Sequence, residues 1–108
     1  MAEPTIRVRV PSPAKRGEVI EVRTLIHHEM ESGHRRGDDG QMAPRKILNR
    51  FACTMNGRLL FAADWHPAVA ANPYLVFHLR ATESGTLKFE WTDDDGTRHA
   101  SEAKLLVV

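Results

Sequence analysis

Asp64-Trp65-His66-Pro67-Ala68-Val69-Ala70-Ala71-Asn72-Pro73-Tyr74 joins two runs that have the period of a β-strand. Upstream, Leu59, Phe61, Ala63 and Trp65 alternate with Leu60, Ala62 and Asp64; downstream, Tyr74, Val76 and His78 alternate with Leu75, Phe77 and Leu79. Successive strand side chains point to opposite faces, so a period of two predicts a strand on each side. Pro67 and Pro73 each lack a backbone donor, fix their own φ and push the preceding residue toward extended geometry. The two strands therefore do not form a tight hairpin. The prolines and small residues suit a crossover between two packed sheets, as in Greek-key connections. Trp65, the largest apolar side chain nearby, is placed to plug a sheet-on-sheet core.

Working outward, Ile6, Val8 and Val10 alternate with Arg7 and Arg9, the pattern of a half-buried first strand. Pro11 and Pro13 end that strand or confine it to an edge. After the Lys15-Arg16-Gly17 turn, a second strand from Glu18 to about Ile26 puts Ile20, Val22, Thr24 and Ile26 on one face. Val19, Glu21, Arg23 and Leu25 take the other. From His27 to Pro44 the alternation stops, and Gly33, Gly37, Gly40 and a closing proline predict a loop. Loops of that length in a small domain tend to be functional or mobile.

Ile47, Phe51, Cys53 and Met55 define the inner face of a third strand, with Asn49 out of pattern. Asn56-Gly57 is a two-residue hairpin signal, because both residues tolerate positive φ. The fourth strand runs from Arg58 to Trp65 and the fifth over Tyr74–Arg80. Glu83-Ser84-Gly85 turns the chain. Leu87, Phe89 and Trp91 line a sixth strand, Asp95-Gly96 is a second hairpin signal, and a last strand runs from about Arg98 to the C-terminus. Seven strands with short turns and no amphipathic helix pattern predict an all-β, immunoglobulin-like sandwich as a single domain over residues 1–108.

Composition narrows the function. A formal net charge of +1 leaves no broad basic field for nucleic acid. A single cysteine excludes an intrachain disulfide and a multi-cysteine metal site. No run approaches the roughly 18 apolar residues of a membrane span. Met1-Ala2-Glu3-Pro4-Thr5 has neither the basic region nor the apolar core of a signal peptide, which by itself makes the cytoplasm the expectation.

Candidate chemistry is sparse. Cys53 is the only thiol and points inward with Phe51 and Met55, where a cysteine behaves as an inert small hydrophobe. His27, His28 and His34, with Glu29 and Glu31 between them, read as a solvated loop or as a copper or zinc site, although no spacing fixes a tetrahedral set. His66 either hydrogen-bonds within the crossover or faces a partner. Arg45, Lys46 and Arg50 concentrate positive charge where the third strand starts, as a solvated strand end or as a dock for an acidic surface. Asp93-Asp94-Asp95-Gly96 lacks the ligand spacing of a calcium loop and reads as a turn. No Ser/His/Asp order, Walker loop or dinucleotide fingerprint is present, so no enzymatic activity and no cofactor are expected. Leu105-Leu106-Val107-Val108 is apolar on both strand faces, which a half-solvated strand should not be, so the C-terminus is expected to lie under a partner. Removing these four residues should then release that partner.

An ordered set of segments resembles the SoxZ family, the small partner subunit of the SoxYZ sulfur-carrier complex. They are Ile6-Arg7-Val8-Arg9-Val10-Pro11, Lys15-Arg16-Gly17-Glu18-Val19-Ile20-Glu21-Val22, His28-Glu29-Met30-Glu31-Ser32-Gly33, Pro44-Arg45-Lys46-Ile47 through Asn49-Arg50-Phe51, and Asn56-Gly57. Asp64-Trp65-His66-Pro67-Ala68, Ala71-Asn72-Pro73-Tyr74-Leu75 and Phe89-Glu90-Trp91 with Asp93-Asp94-Asp95-Gly96 complete the set. In place of Glu29 the family usually has proline. The resemblance implies an immunoglobulin-like sandwich and a non-catalytic subunit in a heterodimer with a SoxY-like carrier. In such a carrier a cysteine in a glycine-rich C-terminal tail bears the sulfur intermediates of thiosulfate oxidation. It further implies transient contact with other Sox enzymes, and a periplasmic location reached by export with the signal-bearing partner. This chain ends Lys104-Leu105-Leu106-Val107-Val108, without cysteine or glycine, so the carrier role belongs to the partner. Arg45, Arg50, His66, Leu105, Leu106, Val107 and Val108 are the expected partner contacts.

Overall fold

Alternating burial along most of the predicted strands accompanies two antiparallel sheets. The computed structural model describes residues 4–108, so part of the Met1–Thr5 reading lies outside the described residues. The strands are β1 (Ile6–Arg9), β2 (Val19–Ile26), β3 (Leu48–Met55), β4 (Arg58–Asp64), β5 (Tyr74–Arg80), β6 (Gly85–Asp93) and β7 (Arg98–Leu105). One sheet has the order β1-β2-β5 and the other β4-β3-β6-β7. The Asp64–Tyr74 segment does pass from one sheet to the other, as its prolines require. The architecture is the expected all-β, immunoglobulin-like sandwich, with no disulfide.

Phe51, on β3, is the hub of the core. Its ring centroid lies 5.6 Å from that of Phe77 on the opposite sheet, 5.1 Å from Trp91 and 6.2 Å from Trp65, whose ring is nearly parallel to it. Trp65 is buried at the mouth of the crossover, the plug its size predicted. Phe61 of β4 stacks on Phe77 of β5 at 4.6 Å, joining the two sheets where their edge strands meet. Thr24 is the polar member of the inner face of β2; its hydroxyl donates to the Leu75 carbonyl at 3.0 Å, so its burial leaves no orphan.

Four details differ from the sequence reading. Asn49 is out of pattern because the β3–β6 register shifts between Leu48 and Arg50, which lets both Ile47 and Leu48 point inward. The fourth strand stops at Asp64, one residue before Trp65. The segment between β2 and β3 is not patternless: Glu31 bridges Lys46 and Arg36 bridges Met42, with the Ala43 amide on the Arg35 carbonyl at 2.8 Å. It forms a narrow hairpin arm in which no residue from Glu31 to Lys46 is buried.

The last strand ends at Leu105, and the residues after it change partner. Ala14 donates to the Leu106 carbonyl at 2.8 Å, Val108 donates to Ala14 at 2.9 Å, and Val107 bridges Ala14 in parallel. The first strand is thus split. β1 pairs with β2 on one sheet, and Ala14 pairs with the chain beyond β7 on the other. Pro11 and Pro13 sit at the split, where a missing backbone donor removes no ladder bond.

Candidate partner-binding site

The inner-facing thiol offers no reactivity. Cys53 is fully buried, and burial pushes its pKa up to about 11, so the nucleophilic thiolate is almost absent at neutral pH.

The histidines do not converge. His27 and His28 line a cleft of about 350 Å³ at the end of the sandwich where β2 stops, together with Glu29, Glu31, Lys46, Asp93 and His99. His34 stands on the arm and does not line it. Among the described residues, no three His, Cys, Asp or Glu side chains are placed to hold a metal ion. Most of the groups in the cleft have partners of their own. His28 Nδ1 accepts the Met30 amide at 2.9 Å, His99 Nε2 pairs with buried Asp93 at 3.1 Å, and Asn72 clamps His28 from the crossover. That clamp has two bonds, from the His28 amide to Asn72 Oδ1 at 2.9 Å and from the Asn72 amide to the His28 carbonyl at 2.7 Å. Asn72 takes φ 52°, a region asparagine tolerates better than most residues. Burial is the main cause that lowers the His28 pKa, so the ring stays neutral and keeps Nδ1 as an acceptor.

The seven expected contact residues lie at two ends of the molecule. Arg45, Arg50 and His66 are at the cleft end. Arg45 grips Asp94 with two bonds, at 2.9 and 3.1 Å, and holds that carboxyl below the usual range; Asp94 also accepts from the Ile47 amide and Asn49. This grip ties the start of β3 to the turn after β6. Arg50 pairs with Asp64 across β3 and β4 at 3.1 Å. His66 is exposed; its carbonyl, not its ring, closes the crossover by accepting the Val69 amide at 3.0 Å. Leu105 to Val108 occupy the opposite end. Leu105 is buried and Val107 half-buried, whereas Leu106 and Val108 are 54% and 69% exposed.

The two outer sheet faces differ in kind. On the four-stranded sheet the exterior is mainly polar, with Leu59 its exposed large hydrophobic, and most of its charges are paired: Arg50 meets Asp64, and Lys88 and Arg98 both meet Glu90. On the three-stranded sheet, Tyr74, Val76 and His78 of β5 face outward beside Val19, Glu21, Arg23 and Leu25 of β2. Arg7 and Arg9 extend that face across β1. Tyr74 is 58% exposed and Val19 53%, although both lie on a continuous sheet surface. Sequence reading assigned no role to these residues. The signal was present, since β5 is apolar at Tyr74 and Val76 as well as at Leu75, Phe77 and Leu79.

The fold and its surfaces define an immunoglobulin-like sandwich with an inert core thiol, ion-paired ends and one apolar, cationic sheet face. The family model for the sulphur oxidation protein SoxZ matches residues 6–104, and the chain belongs to that family. No curated protein matches it. Among solved structures it is similar to the superoxide reductase (neelaredoxin) of Ignicoccus hospitalis, at 16% identity and a TM-score of 0.73, over 96% of this chain and 80% of that one. It is also similar to the sulfur carrier protein SoxY of Chlorobium limicola f thiosulfatophilum, at 11% identity and a TM-score of 0.65, over 95% of this chain and 78% of that one. At these identities the likeness is one of fold.

Proposed function

We propose that the chain is the non-catalytic subunit of a sulfur-carrier complex, bound to a SoxY-like partner whose C-terminal cysteine carries the intermediates of thiosulfate oxidation. One observation supports this most: a chain of a sulphur oxidation family has its only thiol fully buried, with a pKa near 11. A carrier thiol must reach other enzymes and ionise near neutral pH. Cys53 can do neither, so the sulfur is borne by another chain and this one supports it. The exposed Leu106 and Val108 belong to the heterodimer contact in this reading. Arg45, Arg50 and His66, at the opposite end, are left for transient contact with other Sox enzymes. The complex works in the periplasm, exported by the signal of the partner.

The experiment is to co-express the chain with the SoxY-type subunit of the same organism and measure the native mass. A one-to-one complex, loaded with sulfur on the partner's cysteine and unaffected by Cys53→Ser, is the expected result. A chain that stays alone in the presence of that subunit, or sulfur loading lost with Cys53→Ser, would overturn the reading.

A further inference from the structure

We infer that the outer face of the β1-β2-β5 sheet is the surface that seats the carrier subunit, and that the partner's matching face is apolar at its centre and acidic around it. The inference rests on the preceding reading for the partner's identity; the surface is argued from the structure.

Val19, Tyr74 and Val76 account for three of the seven large hydrophobic side chains that are exposed among the described residues. They share one sheet face, with Leu25 half-buried between β1 and the Tyr74 end of β5. Arg7, Arg9, Arg23 and Arg80 border them, and among the described residues the face carries one carboxylate, Glu21, already taken by Arg23. Arg80 donates to the Gly17 carbonyl at 2.8 Å. Among the described residues Arg7 and Arg9 make no ion pair, whereas on the opposite face Arg50, Lys88 and Arg98 are paired and unpaired Lys104 stands beside Glu102 on the same strand.

This pattern selects one occupant. A second copy of the chain meeting the same face across a two-fold axis would bring arginines onto arginines, so the face disfavours self-association. A partner with carboxylates around an apolar patch satisfies both features, and arginine is a residue suited to interface ion pairs. β5 is also an open edge strand of seven residues, a length that proteins seldom leave unprotected.

Size argues for continuity with the tail. Strands of four, eight and seven residues, about 4.8 Å apart, give a footprint of roughly 300 Å² before side chains. A standard interface buries about 800 Å² on each partner. The exposed end of the tail adjoins the sheet through the turn feeding β2: the Arg16 amide donates to the Val108 carbonyl at 3.1 Å, three residues before Val19. Leu106 and Val108, which continue β7 at the edge of the other sheet, therefore lie beside this face and enlarge the contact at its rim.

The test uses the complex of the chain with its SoxY-type subunit and variants confined to exposed positions. Val76→Asp should weaken the complex by about 30-fold or more; its cross-strand neighbour is Arg23, which accommodates the new carboxylate in the free fold. Arg9→Glu together with Arg23→Glu should slow association and reduce its salt dependence. Leu59→Asp, at an exposed position on the other sheet, should leave binding unchanged. Hydroxyl-radical footprinting of the wild-type complex should protect Tyr74 and leave Met42, on the arm, reactive. If the wild-type chain binds and Val76→Asp binds equally well, or if Met42 is protected and Tyr74 is not, this inference fails while the partner reading stands. If the wild-type chain does not bind the subunit, the partner reading itself fails.

Discussion

Removing residues 105–108 should destabilise the protein far more than removing residues 106–108, and the difference can be worked from the structure. Residues 106 to 108 make three backbone bonds with Ala14 and Arg16 and accept side-chain help from Ser12 and Ser84. Such bonds contribute about 0.5–1.5 kcal/mol each. Ordering three residues costs about 1–2 kcal/mol apiece. The two terms nearly cancel, Leu106 and Val108 add little burial and half-buried Val107 adds part of a side chain, so the shorter deletion should change stability by about 1–2 kcal/mol. Leu105 is different. It is 3% exposed and packs in the core cluster, where losing a leucine side chain costs about 2–5 kcal/mol. Against a total of roughly 5–15 kcal/mol, that is a large share. Urea titration followed by the fluorescence of buried Trp65 and Trp91 measures both variants. A loss of partner after the four-residue deletion would therefore report unfolding, and the three-residue deletion is the proper probe of the interface. Equal destabilisation by the two deletions, or a loss under about 1 kcal/mol for the longer one, would refute the assignment of the tail's stability to Leu105.

Three further outcomes follow from the core and its turns. Cys53, with a pKa near 11, has about one thiolate in 10⁴ at pH 7, so disulfide reagents should label it at least about 300-fold more slowly than a free cysteine and at the ordinary rate in denaturant. His28 is held neutral, with a pKa below its unfolded value, so the unfolded chain takes up the proton first as pH falls; stability should be full above about pH 6.5 and decline below it, and His28→Asn should reduce that slope in pH-dependent urea melts. Gly57 sits at φ 86° with open space around its missing Cβ, so Gly57→Ala should cost about 1–2 kcal/mol through backbone strain alone, with no change in packing by chemical shift outside the hairpin.

The strands were legible because each signal in them is local. Alternation over two residues fixed the inner faces of β2, β5 and β6, and Asn56-Gly57 takes the two positive φ angles its type demands, 50° and 86°. The bulge beside Asn49 announced itself only as a break in pattern, because a register shift depends on the neighbouring strand. The arm reads as a loop because its bridges, Glu31 to Lys46 and Arg36 to Met42, involve mostly charged residues and leave no hydrophobic period. The tail's switch to Ala14 is a contact between the two ends of the chain, to which no window of sequence refers.

The docking face was hidden for a different reason. A strand apolar on both faces signals a partner at Leu105–Val108, and the same criterion holds at Tyr74–Leu79. At the tail, half of the apolar excess proves to be intramolecular, since Leu105 is buried and Val107 half-buried in their own fold. On β5 the inner set is equally well used, by Phe77 against Phe51 and Phe61. The outer set has no described residue packed over Tyr74, which is 58% exposed. What separates the two cases is the surrounding charge, and charge becomes a surface property only after β1, β2 and β5 are laid side by side. Arg7 and Arg9, far from Tyr74 in sequence, then fall on one sheet face with it. An exposed apolar patch bordered by cations of one sign specifies its occupant by both hydrophobic fit and charge, and the four-stranded face, where Arg50, Lys88 and Arg98 are matched by carboxylates, does not.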